Sequence, residues 1–463
     1  MNGSENRSFK MKYDVLIIGG GPGGYTAAFE AVNAKLKTCL IEEREIGGTC
    51  LNRGCIPTKT LVHTADLYRD LSDPAHTAVL ADHFSVDKDA LMNKKNAIVE
   101  QLKSGIEKAL KAGKIDVING HAMIENNHAV SVNDEIIEAD HIIIASGSEP
   151  ARIPVEGNDL PGVITSDEIL NELPACESMV IVGGGVIGCE MAGIYESFGT
   201  KVTVLEALDR LLPNLESELG RSLALIFKKR GIDVHAKSFL KAIRRENDHL
   251  IVSYEEKNEL KETACDLVLM AAGRKANTGL FIHEAPAAER GRFVIDEHYM
   301  TSMEHVYAIG DCAAGYPQLA HTAMAMAVNV IAFICGKEKK RDLQVIPSGV
   351  YTSPEIASAG LSEAEAKEKG IETVSGKVNT LANARGLIAS KERGFIKVVA
   401  EKQSGKLLGA FMMCERATDL IQEAALAIEK GMTVSEVLQV IHGHPTFIES
   451  FVSALEAVEK KLG

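Results

Sequence analysis

The stretch that decides the fold is Tyr13-Asp14-Val15-Leu16-Ile17-Ile18-Gly19-Gly20-Gly21-Pro22-Gly23-Gly24. Its first half is typical of a buried strand, and its second half contains G-x-G-x-x-G at Gly19, Gly21 and Gly24. An Ala-rich segment and a second apolar run follow, and this run ends on Glu42, 23 positions after Gly19. Such glycines let the backbone approach a pyrophosphate at a helix start, and the acid can accept hydrogen bonds from a ribose. Alone the motif could be a glycine-rich turn, but the complete pattern predicts a dinucleotide-binding unit.

The same pattern recurs later in the chain. A second G-x-G-x-x-G lies at Gly183, Gly185 and Gly188, and the next strand pattern ends on Glu206, again 23 positions after the first glycine. Two units with identical spacing predict two bound dinucleotides, one a flavin and the other a nicotinamide carrier. A carboxylate at Glu206 favours the free 2′-hydroxyl of NAD over the phosphate of NADP, and Arg210 is the one basic residue nearby.

Two cysteines, Cys50 and Cys55, lie shortly after the first unit, in the stretch GGTCLNRGCIPTK at 47–59. In a regular helix their separation along the axis is ~7.5 Å, which exceeds the ~7 Å reach of a disulfide. A bridge would need a distorted backbone, which Gly54 and Pro57 permit. A strained, accessible dithiol is more often catalytic than structural, although two inert cysteines remain the alternative. A nucleotide on the first unit would bring its reactive ring close to this pair.

Composition restricts the function further. The chain has 463 residues, enough for about three domains, and a formal charge of −14, which disfavours nucleic acid or an anionic membrane as partner. Its nine cysteines show no metal-type spacing with histidines, so no metal site is expected. No apolar run approaches the ~20 residues of a membrane span. Scattered cysteines in apolar contexts and a polar N-terminus predict a cytoplasmic protein.

Two later patterns add candidate functional residues. An apolar run ends in Gly310-Asp311, which suggests a return to the first unit with Asp311 reaching a flavin's ribityl chain. Alone, Gly-Asp is simply a turn. Near the C-terminus, His444 precedes Pro445 and is followed by Glu449, which could orient it as an acid/base pair. The alternative is an ordinary loop with a surface histidine.

Taken together, these motifs resemble the pyridine nucleotide-disulfide oxidoreductase family over nearly the whole chain. The resemblance rests on Gly47–Lys59, the two glycine motifs, Ala308–Asp311, and His444–Thr446 with Glu449. Within the family it is greatest to the members that oxidise dihydrolipoyl groups. Glutathione reductase-like members usually carry alanine at the position of Gly188, and mercuric reductase-like members add a C-terminal cysteine pair that this chain lacks.

The resemblance implies an α/β fold with two Rossmann-like dinucleotide-binding domains and a C-terminal α+β interface domain that forms a homodimer. The implied domains are an FAD-binding part at 1–150, an NAD-binding domain at 151–275, a second FAD-binding or central part at 276–345, and the interface domain at 346–463. FAD would occupy the first unit and NAD the second.

The resemblance also assigns roles to residues. Cys55 would be the thiolate against the flavin and Cys50 the interchange thiol, while His444 and Glu449 would act on Cys50 of the other subunit. Lys59 would lie near the flavin ring, paired with Glu190. The residues expected to contact the cofactors are Gly19, Gly21, Gly24, Glu42, Lys59, Ala122, Gly147, Asp311, Ala320, Gly183, Gly185, Gly188, Glu190, Glu206 and Gly273.

The implied activity is NAD-dependent oxidation of a protein-bound dihydrolipoyl group in a 2-oxoacid dehydrogenase or glycine cleavage complex. The chain departs from the family pattern at Gly443, Phe447 and Ile448, where Ala, Leu and Ser are usual, and at His321–Ala327, which carries Met and Ala. The alternatives are a related NAD(P)H-dependent disulfide reductase, of glutathione or mercuric type, and a non-catalytic flavoprotein scaffold.

Overall fold

The computed structural model describes residues 12–81, 83–389 and 392–463 of the chain. In chain order, the helices are α1 (Pro22–Asn33), α2 (Gly48–Arg53), α3 (Cys55–Leu71), α4 (Pro74–Thr77), α5 (Lys88–Ala112), α6 (Ser166–Glu172), α7 (Val186–Ser197), α8 (Ser217–Lys229), α9 (Ala320–Ile334), α10 (Glu363–Glu368), α11 (Ala384–Ala389), α12 (Ala417–Glu429), α13 (Val434–Leu438) and α14 (Glu449–Leu462). Short 3-10 helices span Gly310–Cys312 and Thr380–Ala382.

In the same order, the strands are β1 (Lys12–Ile18), β2 (Thr38–Glu42), β3 (Asp116–Asn119), β4 (Met123–Asn126), β5 (Ala129–Val132), β6 (Glu135–Ile144), β7 (Ser148–Pro150), β8 (Val163–Thr165), β9 (Ser178–Val182), β10 (Lys201–Glu206), β11 (Asp233–Ala236), β12 (Ser238–Glu246), β13 (His249–Glu256), β14 (Glu259–Cys265), β15 (Leu267–Met270), β16 (Arg274–Ala276), β17 (Ala288–Glu289), β18 (Arg292–Phe293), β19 (Val306–Ala308), β20 (Ser348–Val350), β21 (Glu355–Gly360), β22 (Thr373–Asn379), β23 (Phe395–Glu401) and β24 (Leu407–Cys414). The peptide bonds Ser353–Pro354 and His444–Pro445 are cis.

The chain divides into two compact units, each assembled from separate stretches of sequence. The first unit comprises the described residues up to Thr58, together with 89–151 and 274–343. The second unit comprises 59–88, 152–273 and 344–463. The second dinucleotide pattern and the C-terminal region thus belong to one unit. The division into an NAD-binding domain and a separate interface domain stays a prediction.

The first unit is organised around a sheet with the order β3-β2-β1-β6-β5-β4, in which β19 also pairs with β6. The strands β3, β2, β1, β6 and β19 run parallel. The apolar run of the central strand β1 is covered on both faces, so Val15, Leu16 and Ile17 are completely buried. Helices α1 and α9 pack against each other. The carboxyl ends of β1, β2 and β6 therefore lie side by side, where α1 begins.

The second unit contains a parallel sheet with the order β11-β10-β9-β15-β8 and an antiparallel sheet, β12-β13-β14. Its C-terminal region forms the antiparallel sheet β20-β21-β24-β23-β22, against which α12 and α14 pack. The backbones of β22 and α14 are in close contact, because a Cβ on Gly376 of β22 would lie 2.2 Å from the carbonyl oxygen of Ala454 in α14.

The predicted α/β class is confirmed. Each glycine motif follows the first strand of a parallel β-α-β unit, and the C-terminal region is an antiparallel sheet with helices. In the part of the chain that the structure describes, no helix is long and apolar enough to cross a membrane.

Candidate active site

The first glycine motif forms a tight turn between β1 and α1. Gly19 has a φ of +104°, a conformation that side-chain-bearing residues rarely adopt. A Cβ on Gly24 would lie 1.7 Å from the carbonyl oxygen of Gly19, so α1 packs directly on the turn. The glycines of this motif are therefore required by the close approach of the backbone to itself.

The second motif repeats this geometry. Gly183 has a φ of +112°, and a Cβ on Gly188 would lie 1.9 Å from the carbonyl oxygen of Gly183. A Cβ on Gly185 would meet no described heavy atom within 4 Å, so the mouth of the turn is open. The two predicted units thus share both their spacing and their local packing.

Both motif helices begin with uncapped backbone amides. α1 follows Gly21 and α7 follows Gly185, and among the described residues no side chain caps either helix. By contrast, α6, α10 and α13 begin with capping boxes, in which side chains satisfy the first amides. Free amides at a helix start attract an anion, and the open turn at Gly185 leaves room for one. These features fit the pyrophosphates of two dinucleotides.

The two acidic residues predicted to bind ribose are buried at the ends of β2 and β10. Glu42 accepts hydrogen bonds from the amides of Gly20 (2.5 Å) and Arg44 (2.7 Å). Glu206 accepts from Gly184 (2.6 Å) and Leu208 (2.7 Å) in the equivalent arrangement. A carboxylate has about four acceptor sites, so each can still receive a ribose hydroxyl. The sequence did not reveal that these carboxylates also fix the glycine turns.

Other predicted contacts of the first unit lie near the same strand ends. The amide of Gly120 donates to the carbonyl oxygen of Glu42 (2.9 Å), which places buried Ala122 two residues away. Ala320 is the first residue of α9. In the second unit, Gly273 follows β15 with a φ of +114°. Among the described residues, none has a heavy atom within 4 Å of the position that a Cβ on Gly273 would occupy.

Asp311 belongs to a hydrogen-bonded chain that the sequence did not indicate. The hydroxyl of Ser148 donates to its Oδ2 (2.5 Å), and Nε of Arg274 donates to the hydroxyl of Ser148 (2.7 Å). Arg274 also donates through Nη2 to the carbonyl oxygen of Ser148 (2.6 Å). Gly147, with a φ of +68°, precedes this serine. The Asp311 carboxylate is thereby held in one orientation at the end of β19.

The dithiol segment packs on the first glycine motif. The amide of Gly47 donates to the carbonyl oxygen of Gly20 (2.9 Å). A Cβ on Gly48 would lie 2.6 Å from Cα of Gly21, so the two backbones are in direct contact. The predicted proximity of the cysteine pair and the first nucleotide unit is therefore present in the first compact unit.

The backbone distortion between the cysteines lies at Gly54. Cys50 is in α2, Cys55 opens α3, and Gly54 separates the helices with φ −146° and ψ −110°. A Cβ on Gly54 would lie 2.9 Å from the carbonyl oxygen of Thr49, which leaves no room for a larger residue. The hydroxyl of Thr58 donates to the carbonyl oxygen of Gly54 (2.7 Å) and fixes the break. Both cysteines are half-buried.

Tyr25 is a neighbour of the dithiol that sequence reasoning missed. Burial raises its pKa, and the charges of Cys50 and Cys55 raise it further. The phenol thus stays neutral beside the pair. Its position directly after the last glycine of the motif is the signal that could have identified it.

Lys59 and Glu190 form the predicted ion pair. Nζ of Lys59 lies 2.9 Å and 3.0 Å from the two carboxylate oxygens of Glu190, which is only 3% exposed. Tyr351, which the sequence did not indicate, donates its amide to Oε1 of Glu190 (2.9 Å). A buried carboxylate needs such partners to offset its desolvation.

His444 and Glu449 also meet as predicted. Nδ1 of His444 lies 2.8 Å from Oε1 of Glu449, and the amide of Thr446 donates to Oε2 (2.8 Å). The Thr446 amide, followed by His444, holds the pKa of Glu449 below its usual range. A carboxylate only accepts hydrogen bonds, so in the neutral imidazole of His444 the hydrogen is on Nδ1 and Nε2 is the nitrogen that can accept a proton. The imidazole is 74% exposed.

Neighbouring residues fix the loop that carries this histidine. Nδ2 of Asn383 donates to the carbonyl oxygen of Thr446 (3.0 Å). The guanidinium groups of Arg385 and Arg416 lie 5.4 Å and 6.0 Å from the ring centroid of Phe447. Phe447, one of the departures from the family pattern, thus anchors the loop between two cations.

Comparison with known proteins agrees with this geometry. The family model described as pyridine nucleotide-disulphide oxidoreductase matches residues 13–327, and the dimerisation domain of the same family matches 346–455. A dihydrolipoyl dehydrogenase of Haloferax volcanii is 37% identical, with 97% of this chain and 96% of the relative covered. A dihydrolipoyl dehydrogenase of Bacillus subtilis is 36% identical, with 97% and 98% covered.

Solved structures give the same result at lower identity. The HOCl-induced flavoprotein disulfide reductase RclA of Escherichia coli, in its Cu(II) complex, superposes with a TM-score of 0.86 and 28% identity. The match covers 97% of this chain and 100% of that one. The glycine motifs, the dithiol segment and the full-length matches lead to one conclusion. This chain belongs to the pyridine nucleotide-disulphide oxidoreductase family.

Proposed function

We propose that this chain is an FAD-containing enzyme that oxidises protein-bound dihydrolipoyl groups and reduces NAD. The observation that carries the proposal is the direct contact between Gly48 of the dithiol segment and Gly21 of the first glycine motif. This contact supports a redox role for the cysteine pair, because it brings the dithiol segment to the glycine turn that fits a flavin dinucleotide. Full-length relatives named dihydrolipoyl dehydrogenase support the choice of substrate.

We assign Cys50 to the reaction with the substrate and Cys55 to the reaction with the flavin. In the oxidised enzyme Cys50 and Cys55 form a disulfide. Nε2 of His444 takes a proton from a dihydrolipoyl thiol, and the thiolate attacks Cys50, which breaks the Cys50–Cys55 bond and releases Cys55 as a thiolate. The second substrate thiol, as a thiolate, then attacks the substrate sulfur of this mixed disulfide and breaks its bond to Cys50, which closes the lipoyl disulfide and leaves Cys50 and Cys55 reduced. When bound, FAD supplies the two-electron relay from this dithiol to NAD. Two electrons and one proton leave as NADH, and the second proton goes to solvent.

The acid/base pair is arranged to serve a second subunit. Glu449 fixes the tautomer of His444, so that Nε2 is the proton acceptor, and the exposed imidazole is accessible to another chain. We assign His444 of one subunit to Cys50 of the other in a homodimer, which the matched dimerisation domain supports.

The second unit favours NAD over NADP. Glu206 is buried at the position where a 2′-phosphate would meet a negative charge. Arg210 is engaged elsewhere, because it pairs with Asp209 (2.8 Å) and donates to the carbonyl oxygen of Pro213 (2.9 Å). We therefore assign NAD as the electron acceptor.

The partner we assign is a lipoyl-bearing protein of a 2-oxoacid dehydrogenase or glycine cleavage complex. The nearly full-length matches to dihydrolipoyl dehydrogenases support it. The dispersed cysteines support a reducing, cytoplasmic location.

The function is tested by a pair of assays on the purified protein. The first follows NAD reduction by dihydrolipoamide, and the second follows NADPH oxidation by glutathione disulfide. We expect activity in the first assay alone. Activity only in the second would refute the proposal and favour a glutathione-type reductase. Anaerobic titration with NADH addresses the scaffold alternative, because a scaffold would show no dithiol-linked spectral change.

The base is tested by His444→Gln, with His442→Gln as the matched control in the same loop. His442 binds a different carboxylate, with its Nε2 2.6 Å from Oε1 of Glu423. His444→Gln should abolish most dihydrolipoamide turnover and retain FAD, while His442→Gln should keep turnover near wild type. Wild-type turnover in His444→Gln would remove this residue from the base role.

A further inference from the structure

A buried sulfur atom accepts a hydrogen bond from the turn that carries Asp311. The backbone amide of Gly310, one residue before Asp311, donates to Sδ of Met326 at 3.4 Å. Met326 lies on α9 and is completely buried. Gly310 follows β19 with a φ of +72°, and all three residues belong to the first compact unit. A side chain 16 positions further along the chain thus contacts the backbone of this turn.

Helix α9 packs closely on the same turn. A Cβ on Gly310 would lie 3.0 Å from Cβ of Ala323, and a Cβ on Gly23 of α1 would lie 3.3 Å from that same atom. Ala323 therefore contacts both the turn and the helix of the first glycine motif. Met326 is three residues after Ala323, so the two side chains share one face of α9. This packing fixes the position of the sulfur relative to the amide.

Other contacts of the turn have the opposite polarity. Sγ of Cys312 donates to the carbonyl oxygen of Ile309 (3.2 Å), and Nε2 of Gln318 donates to the carbonyl oxygen of Asp311 (3.3 Å). Each of these groups is a donor to an oxygen of the turn, whereas Met326 is an acceptor for one of its amides. A thioether is a weak acceptor, but an amide that faces a buried side chain loses free energy when its acceptor is removed.

We propose that Met326 is a positioning residue that fixes the Gly310–Asp311 turn and thereby sets how tightly the chain holds FAD. This inference rests on the proposed function, in which the Asp311 carboxylate accepts hydrogen bonds from the ribityl chain of the flavin. Such bonds depend on distance and direction, so the carboxylate must be held in place. A looser turn has to be ordered when FAD binds, and this ordering weakens binding. The segment His321–Ala327, which departs from the family pattern, thereby gains a role.

The test uses variants that separate the hydrogen bond from the packing. Met326→Leu removes the acceptor and nearly conserves the side-chain volume. Met326→Gln keeps a chain of similar length and offers a carbonyl oxygen as acceptor. Met324→Leu is the matched control, because Met324 lies on the same helix but is 38% exposed. Met326→Ile replaces the Leu variant if that protein does not fold.

Two quantities are measured on the holoenzyme. The first is the FAD dissociation constant, from the flavin that is released on dilution. The second is the rate of hydrogen exchange at the Gly310 amide, by mass spectrometry with residue-level fragmentation. The exchange rate reports the hydrogen bond itself and needs no substrate. Turnover of dihydrolipoamide by the wild-type protein is measured in parallel, and its absence would refute the proposed function without changing the exchange result.

We expect Met326→Leu to weaken FAD binding between about threefold and about thirtyfold, the range that loss of one hydrogen bond supports, and to speed exchange at Gly310. Met326→Gln should restore both quantities towards wild type, and Met324→Leu should match wild type. Wild-type FAD affinity or wild-type exchange in Met326→Leu would overturn the proposal. It would also be overturned if the Gln variant behaved as the Leu variant does, because packing would then explain the effect. If the Gln variant does not fold, the exchange rate in Met326→Leu decides.

Discussion

Gly24 is the position where the structure makes the sharpest prediction. A Cβ built there lies 1.7 Å from the carbonyl oxygen of Gly19, whereas real Cβ atoms keep at least 3.0 Å. In Gly24→Ala, α1 must therefore move away from the turn by at least about 1.3 Å, the difference between these distances. The contact would be between the new Cβ and a backbone carbonyl oxygen, so rotation of a side chain cannot relieve it.

The size of the effect follows from two opposing terms. Alanine in a helix interior is favoured over glycine by about 1 kcal/mol. Overpacking costs about 1–3 kcal/mol, and rigid neighbours place Gly24→Ala at the upper end. A shift beyond 1 Å also takes the α1 amides out of hydrogen-bond range of a pyrophosphate. Loss of one charged hydrogen bond, about 1.5–3 kcal/mol, weakens FAD binding roughly tenfold to a hundredfold.

Two assays measure this, with Gly105→Ala as the matched control. Gly105 also lies inside a helix, α5, but a Cβ there meets no described heavy atom within 4 Å. The thermal midpoint and the FAD dissociation constant are measured for both variants. Gly105→Ala should raise the free energy of unfolding by about 0.5–1 kcal/mol and leave FAD binding unchanged. The reasoning is wrong if Gly24→Ala binds FAD as wild type does.

Further predictions concern the acid/base loop and the Asp311 network. The folded-state pKa of Glu449 lies below its ordinary value of 4.5, so its contribution to stability is complete above that pH and is lost as pH falls through the lowered pKa. The stability difference between wild type and Glu449→Gln should therefore shrink as the pH falls below 4.5. Acid unfolding curves of the two proteins that run parallel through this range would contradict the prediction. Ser148→Ala should weaken FAD binding, because Asp311 loses its hydroxyl donor, and Ser148→Thr should retain wild-type FAD binding. The measurement is the fraction of flavin that each variant retains on dilution. Equal retention in both variants would exclude a role of the Ser148 hydroxyl in orienting Asp311.

The sequence predicted those parts of the fold and site that depend on local spacing. The glycine motifs carry their own geometry, because each needs a positive φ at Gly19 or Gly183 and a close backbone approach five residues later. The approach of His444 to Glu449 was also predictable, since a proline follows His444 and Glu449 is the first residue of α14. These features require few residues and little knowledge of the rest of the chain.

The parts that sequence reasoning missed depend on residues brought together from distant segments. Tyr351 lies 161 positions from Glu190, and no pattern around it indicates its hydrogen bond to that carboxylate. Ser148 lies 163 positions from Asp311. Small and common residues in ordinary turns acquire these contacts only through packing, so their roles become visible only in three dimensions.

The same glycine turn occurs twice in this chain, once in each compact unit. In the first copy the amide of Gly20 donates to Glu42 (2.5 Å), and in the second the amide of Gly184 donates to Glu206 (2.6 Å). The same substitution should therefore disturb the backbone to a similar extent in either copy. If its effect on the enzyme differs between the two copies, the difference reports the contribution of the bound nucleotide, because the backbone effect is common to both. One chain can therefore report how differently it uses its two cofactors without reference to any other protein.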